Sequence, residues 1–140
     1  MKKSCVIDAS VVAKWLLADE SSFKADILKD DFRDKEIEIY IPSLLFYEVN
    51  NLLKSATLSG RINGEKAQEF YSAFLKLNFI VYDSKKLLEA ALKMAIDLNI
   101  SSYDGSYIAL AEYLNIPFYT ADENLVKKAK SKLVKSITKY

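Results

Sequence analysis

Ser4-Cys5-Val6-Ile7-Asp8-Ala9-Ser10-Val11-Val12-Ala13-Lys14-Trp15-Leu16-Leu17 decides the fold class. Its first four residues are an apolar run stopped by an acid, which reads as a short buried strand. Ser10 to Leu17 reads as a helix that follows at once. The same alternation recurs outward. Ser21 to Phe32 is helical, with Phe23, Ile27 and Leu28 on one stripe, and Glu38 to Ile41 is a strand closed by Pro42. Ser43 is placed to cap a helix over Leu44–Leu58 that Gly60 ends, and Asn63 to cap another through Leu77. Phe79 to Tyr82 is a third strand. Ser84 caps a helix toward Asn99 and Ser102 caps one through Leu114. Pro117 to Thr120 is a fourth strand, Glu123 to Lys132 a helix, and Val134 to Ile137 a last short strand. Short strands, apolar throughout and separated by helices, predict an α/β fold with a mainly parallel sheet covered on both faces. No linker, repeat or low-complexity segment divides residues 1–140, so one domain is expected.

Composition excludes much chemistry. The chain has 140 residues, no His, one Cys, three Gly and two Pro. Without His there is no Ser-His-Asp triad, no Cys-His pair and no imidazole proton shuttle. A lone Cys forms no internal disulfide, and a zinc site lacks its usual donors. Gly60, Gly64 and Gly105 are not spaced for a P-loop or a dinucleotide fingerprint. No apolar run reaches membrane-spanning length, and the opening segment is too short for a signal peptide, so a cytoplasmic protein with no membrane association is expected. Carboxylates, with a hard metal ion, are left to carry any chemistry.

Net charge is only +1, from 20 Lys plus Arg against 19 Asp plus Glu, but its distribution is uneven. Asp19 to Glu38 holds eight acids and four bases, whereas Val126 to Tyr140 holds six lysines and no acid. Such a tail suits phosphate tracking, although lysines near a helix C-terminus are also ordinary solvated residues. With only Arg33 and Arg61 present, bidentate base reading by arginine is not expected.

In a parallel sheet, ligands bind beyond the carboxyl ends of the strands. Asp8 and Asp122 directly follow strands, and either also suits a helix N-cap. Glu48 falls with Leu44 and Leu52 on an apolar helix face, where a carboxylate is costly unless a cation or donor compensates it. Asp104 lies in a first helical turn, where the helix dipole alone favours it. Each acid has an ordinary structural explanation. Together they predict an acidic cluster in which like charges repel unless a cation neutralises them. Mg²⁺ or Mn²⁺ is the natural occupant of an all-oxygen site. Asp97 and Glu123 are read as solvated, Trp15 as a core or dimer-packing residue, and Tyr47, Tyr103 and Tyr107 as core aromatics rather than base-stacking platforms.

The ordered segments Ile7-Asp8-Ala9-Ser10, Pro42-Ser43-Leu44 through Glu48, Tyr103-Asp104-Gly105-Ser106-Tyr107-Ile108-Ala109-Leu110-Ala111 and Thr120-Ala121-Asp122 resemble the PIN-domain nucleases, and among them the VapC-type toxins of toxin–antitoxin pairs. The resemblance spans nearly the whole chain. It implies a PIN-like three-layer α/β/α fold and an Mg²⁺- or Mn²⁺-dependent endoribonuclease that hydrolyses RNA with metal-activated water. It assigns the catalytic acids to Asp8, Glu48, Asp104 and Asp122, with Asp8 and Asp104 as principal metal ligands, Glu48 and Asp122 supporting, and Ser10 and Thr120 as donors behind them. It also implies a homodimer and a cognate VapB-type antitoxin. Gly105 stands where relatives often carry Ala and would loosen the helix start. Two other readings compete: a non-catalytic PIN-type scaffold, and a receiver-like or phosphohydrolase domain with Asp83 after the third strand. The second lacks an acidic partner beside Asp8, since Ser10 occupies that place.

Overall fold

The apolar run before Asp8 is the middle strand of the sheet. In the computed structural model, which describes residues 2–140, β1 (Lys3–Ile7) is flanked by β2 (Ile37–Ile41) and β4 (Phe118–Thr120), with β3 (Ile80–Val81) and β5 (Val134–Ser136) outside them. The order is β3-β2-β1-β4-β5 and every pairing is parallel. Among the described residues seven α-helices connect and cover these strands: α1 (Ala9–Leu16), α2 (Phe23–Arg33), α3 (Leu44–Leu58), α4 (Gly64–Leu75), α5 (Lys85–Leu98), α6 (Ser102–Leu114) and α7 (Glu123–Ala129). The α/β architecture is the one the strand–helix alternation predicts.

The core joins Val6 and Ile7 of β1, Ile39 and Ile41 of β2, Leu45 and Val49 of α3, Tyr107, Ile108 and Leu110 of α6, and Phe118 of β4. Cys5 lies in it, and burial pushes its thiol pKa up to about 12, so the group behaves as a small apolar side chain. Trp15 packs α1 on α2, its Nε1 donating to the Ala25 carbonyl at 2.8 Å and its ring stacking on Phe32. Among the described residues no helix is long and apolar enough to cross a membrane.

The strand order fixes where a ligand can sit. From β1 the chain adds β2 and β3 on one side, then returns through α5 and α6 to place β4 and β5 on the other. The carboxyl ends of β1 and β4 therefore border a topological switch point, the crevice where open parallel sheets bind ligands. This order also differs from the 2-1-3-4-5 arrangement of receiver-like folds. Asp83 follows an edge strand here, so the receiver-like reading fails on topology.

Local expectations diverge at several points. The strands are not uniformly buried: β2 alternates, with Ile37, Ile39 and Ile41 inward and Glu38 and Tyr40 half-buried, and β3 is a two-residue exposed edge. Helix α4 stops at Leu75 rather than Leu77, and α7 stops at Ala129 rather than Lys132 because Lys130 turns left-handed, with φ 52°. Ser43 is helical and makes no side-chain capping bond; instead its backbone N–H donates to Asp83 Oδ1 at 3.0 Å. Ser84 occupies its cap position without a side-chain bond. The cap of α6 is Ser101, which accepts from the Asp104 N–H at 3.0 Å, and not Ser102. Asn63 caps α4 as expected.

Candidate active site

Asp8 leaves β1 at the switch point and begins α1. Its carboxylate accepts from the Ser10 N–H at 3.1 Å, so it is an N-cap. It is also 6% exposed, one of few polar residues buried this deeply. Two hydroxyls hold it. Ser10 Oγ donates to Oδ1 at 2.5 Å and Thr120 Oγ1, from the end of β4, donates to Oδ2 at 2.6 Å. Each hydroxyl in turn accepts a backbone N–H from the turn after β4: Ala121 to Ser10 at 2.8 Å and Asp122 to Thr120 at 3.1 Å. Two parallel relays thus run from the β4–α7 turn to the two oxygens of Asp8. Each hydroxyl is satisfied as donor and acceptor, which fixes the carboxylate's orientation and ties Asp122 to it.

Asp122 caps α7, accepting from the Leu125 N–H at 3.1 Å, and is exposed. Asp104 lies in the first turn of α6 and Glu48 in the second turn of α3, both half-buried. Glu48 sits at the edge of α3's buried stripe, which runs through Leu45, Val49, Leu53 and Ala56 rather than Leu44 and Leu52. The compensating donor that a partly buried carboxylate needs is the Tyr107 hydroxyl, which donates to Glu48 Oε1. Tyr107 is fully buried and stacks on Phe118 at 5.6 Å, so the core itself aims the donor.

Electrostatics join the four acids. Desolvation by burial raises the Asp8 pKa to about 6 against the lowering effect of the Ser10 and Thr120 bonds, and the charges of Asp104 and Glu48 raise it further. Burial also raises Glu48, with the charge of Asp104 adding to it, and raises Asp104, with Asp122 adding to it. No Lys or Arg contributes to any of these shifts, and none of the four acids forms an ion pair among the described residues. The side chains are an uncompensated anionic group with only oxygen donors, which suits a hard divalent cation. Among the described residues no three carboxylates stand close enough to enclose an ion by themselves.

Other groups lie elsewhere. Asp97 pairs with Lys93 at 2.6 Å on the surface, and Glu123 accepts from Ser136 Oγ at 2.5 Å. Tyr47 and Tyr103 are exposed rather than buried core aromatics, whereas Tyr107 is core. Lys127 and Lys128 occupy the last turn of α7, where the helix dipole favours them. A cleft of about 630 Å³ between α1, α2 and α4 is lined by Trp15, Phe32 and Phe74 with Lys29, Arg33 and Lys76 at its rim, and contains none of the four acids. The sequence signal missed Tyr107 as the partner of Glu48, because helical spacing marks an aromatic as core without showing where its hydroxyl points.

A profile of the PIN domain matches residues 5–131. This chain belongs to the PIN domain family. Among its relatives, Ribonuclease VapC1 of Mycobacterium tuberculosis is 34% identical over 122 residues, covering 86% of this chain and 87% of the relative. That places this PIN domain with the VapC proteins. A solved structure from Pyrobaculum aerophilum superposes with a TM-score of 0.74 at 24% identity, covering 99% of this chain and 93% of that one. VapBC2 from Rickettsia felis, solved bound to a DNA fragment from its promoter, superposes with a TM-score of 0.70 at 16% identity over 95% of this chain and 98% of that one. These structural likenesses show the shared PIN fold.

Proposed function

We propose that this PIN domain is an endoribonuclease that hydrolyses RNA phosphodiester bonds with the help of Mg²⁺ or Mn²⁺, and that it is the toxin of a toxin–antitoxin pair. The observation that carries the reading is Asp8: a buried carboxylate at the switch point, held on both oxygens, beside further acids with no cation among them. The name of the M. tuberculosis relative supports RNA as substrate.

Asp8 and Asp104 would hold the ion, with Glu48 and Asp122 reaching it through water. A divalent ion bound there supplies Lewis acidity, making water a better nucleophile and offsetting charge on the phosphate. The chain's own residues supply the orientation. Ser10 and Thr120 keep both Asp8 oxygens fixed, so little reorganisation is needed when substrate arrives. Tyr107 keeps Glu48 in one place and stays a neutral donor, since burial and the nearby acids raise its pKa. With no imidazole available, proton traffic at the site falls to carboxylates and water. A homodimer and a VapB-type antitoxin complete the proposal. The VapBC2 structure, a VapC-containing complex on the same fold, supports the second.

The test is cleavage of single-stranded RNA with Mn²⁺, with Mg²⁺ and with chelator. Cleavage should require the metal and fall at least a hundredfold in Asp104→Asn. Equal rates for wild type and Asp104→Asn, or cleavage undiminished by chelator, would overturn the assignment. A folded wild type that binds Mn²⁺ but leaves every RNA intact favours the scaffold reading.

A further inference from the structure

At the carboxyl edge of the sheet lies a smaller slot of about 330 Å³, walled by Leu44 of α3, Leu87 and Leu88 of α5 and Leu110 of α6, with Ser43, Tyr82, Asp83, Ser84 and Ser106 as its polar groups. Resting on the ribonuclease reading, we propose that this slot takes one unpaired base of the RNA next to the cleaved phosphate, and that Asp83 selects bases carrying an exocyclic amino group over uracil.

Two of the three helices that wall the slot, α3 and α6, carry acids of the site. Leu44 precedes Glu48 by one turn of α3, about 6 Å of rise, and Ser106 follows Asp104 by two residues in α6. Asp83 lies just beyond the end of β3 at the same carboxyl edge of the parallel sheet where Asp8 and Asp122 follow β1 and β4, so a strand of RNA crossing the acids can reach the slot. The chemistry of the lining sets the ligand class. It contains no Lys or Arg and one carboxylate, so it repels a phosphate and admits a neutral group. Leucines from three helices give flat apolar walls that accept the face of a base. The carboxylate needs N–H donors if a ligand is to desolvate it without loss. Asp83 Oδ1 already accepts the Ser43 N–H at 3.0 Å, which anchors the side chain and leaves Oδ2 as an open acceptor. The Ser84 hydroxyl makes no capping bond at the start of α5, and Ser106 Oγ donates to the Ser102 carbonyl at 3.0 Å, leaving its lone pairs as acceptors. The slot's fixed acceptors are the Asp83 carboxylate oxygens, since the hydroxyls of Ser43, Tyr82 and Ser84 can donate as well as accept. Cytosine, adenine and guanine bring an amino group to meet the carboxylate, whereas uracil presents carbonyl oxygens on either side of its single N–H. A site built to accept a donor rejects the analogue that lacks it more strongly than an apolar pocket rejects a change of size.

Cytidine and uridine are the matched probes, since they differ in the amino group. In metal-free protein, titration with cytidine should shift the backbone amide resonances of Ser43, Ser84, Leu88 and Ser106, and uridine should bind at least tenfold more weakly. Asp83→Asn keeps an oxygen for the Ser43 N–H but turns a donor toward the ligand, so it should erase or reverse the preference. RNAs differing only by C or U at a position flanking the cut should show the same order in cleavage rate. Equal binding of the two nucleosides, absence of both, or a preference unchanged in Asp83→Asn would overturn the proposal. So would shifts at these amides that follow protein concentration without nucleoside, because they would put a second copy of the chain on the slot. Cytidine binding without RNA cleavage would refute the ribonuclease reading alone. Cleavage indifferent to the flanking base, with no nucleoside binding, would refute the slot alone.

Discussion

At the scale of the residue, the site is a compromise between burial and charge. An unfolded Asp has a pKa of about 3.9, and burial lifts Asp8 to about 6 in the folded chain. The folded protein then binds the proton more tightly than the unfolded chain, so metal-free stability falls as pH rises. The loss starts near pH 4 and is complete a little above pH 6. A shift of about two units corresponds to about 3 kcal/mol. Asp8→Asn should therefore melt higher than wild type at pH 7 without metal and lose most of the fall between pH 5 and 7. Thermal melts of both proteins across that range check this, and equal melting at pH 7 would show that Asp8 carries no such strain. Tyr107→Phe makes the opposite kind of change. It keeps the stack on Phe118 but removes the donor to Glu48. The half-buried carboxylate left unpaired should cost about 1–3 kcal/mol. A double-mutant cycle with Glu48→Gln in denaturant melts measures the coupling, which is near zero if the bond has no role. All four acids could be picked out in the sequence because two end strands, one opens a helix and one interrupts an apolar helix face. The relays through Ser10 and Thr120 could not be derived that way, since they join residues 111 and 112 apart whose meeting depends on β1 pairing with β4.

Elements were legible where the signal is local. Apolar runs and helical periodicity located the five strands and seven α-helices of the described residues, and Asn63 announced its own helix start. Helix starts fixed by tertiary partners were not legible. Ser43 looks like a cap in isolation, but its N–H is taken by Asp83 from the end of a neighbouring strand, so its side chain is not needed. Gly105 is the clearest case. Read locally, a glycine in the first turn of α6 only loosens the helix. In the fold, a Cβ at this position would stand 2.6 Å from the Ala91 carbonyl oxygen of α5, so glycine is what lets the two helices touch. Gly→Ala in a helix ordinarily gains about 0.5–1 kcal/mol. Here the clash is with backbone, which cannot rotate away, and overpacking of that kind costs about 1–3 kcal/mol. Gly105→Ala should thus be destabilising by about 1–2 kcal/mol net, seen as a lower denaturation midpoint. A more stable Gly105→Ala would mean that the α5–α6 contact is loose.

Across the whole molecule, charge follows topology. The return of the chain from β3 to β4 gathers acids from β1, α3, α6 and the start of α7 at one end of the sheet, although they lie far apart in sequence. Holding uncompensated carboxylates there destabilises the folded chain, and a ligand that binds only the assembled group should return that free energy. An ion at a hundred times its dissociation constant adds about 2.7 kcal/mol. At a few degrees per kcal/mol for a domain of this size, the melting temperature should rise by about 10 °C. Because protons and the ion compete for the same oxygens, the rise should be large at pH 7 and shrink toward pH 5, as Asp8 takes up its proton near pH 6. The two curves should thus converge on acidification: the metal-free protein gains stability as the metal-bound form loses its advantage. Asp8→Asn should abolish most of the metal effect while raising the metal-free melting point. Melting that is the same with and without Mn²⁺ at pH 7, or a metal effect that survives in Asp8→Asn, would mean that the gathered acids do not form one cation site.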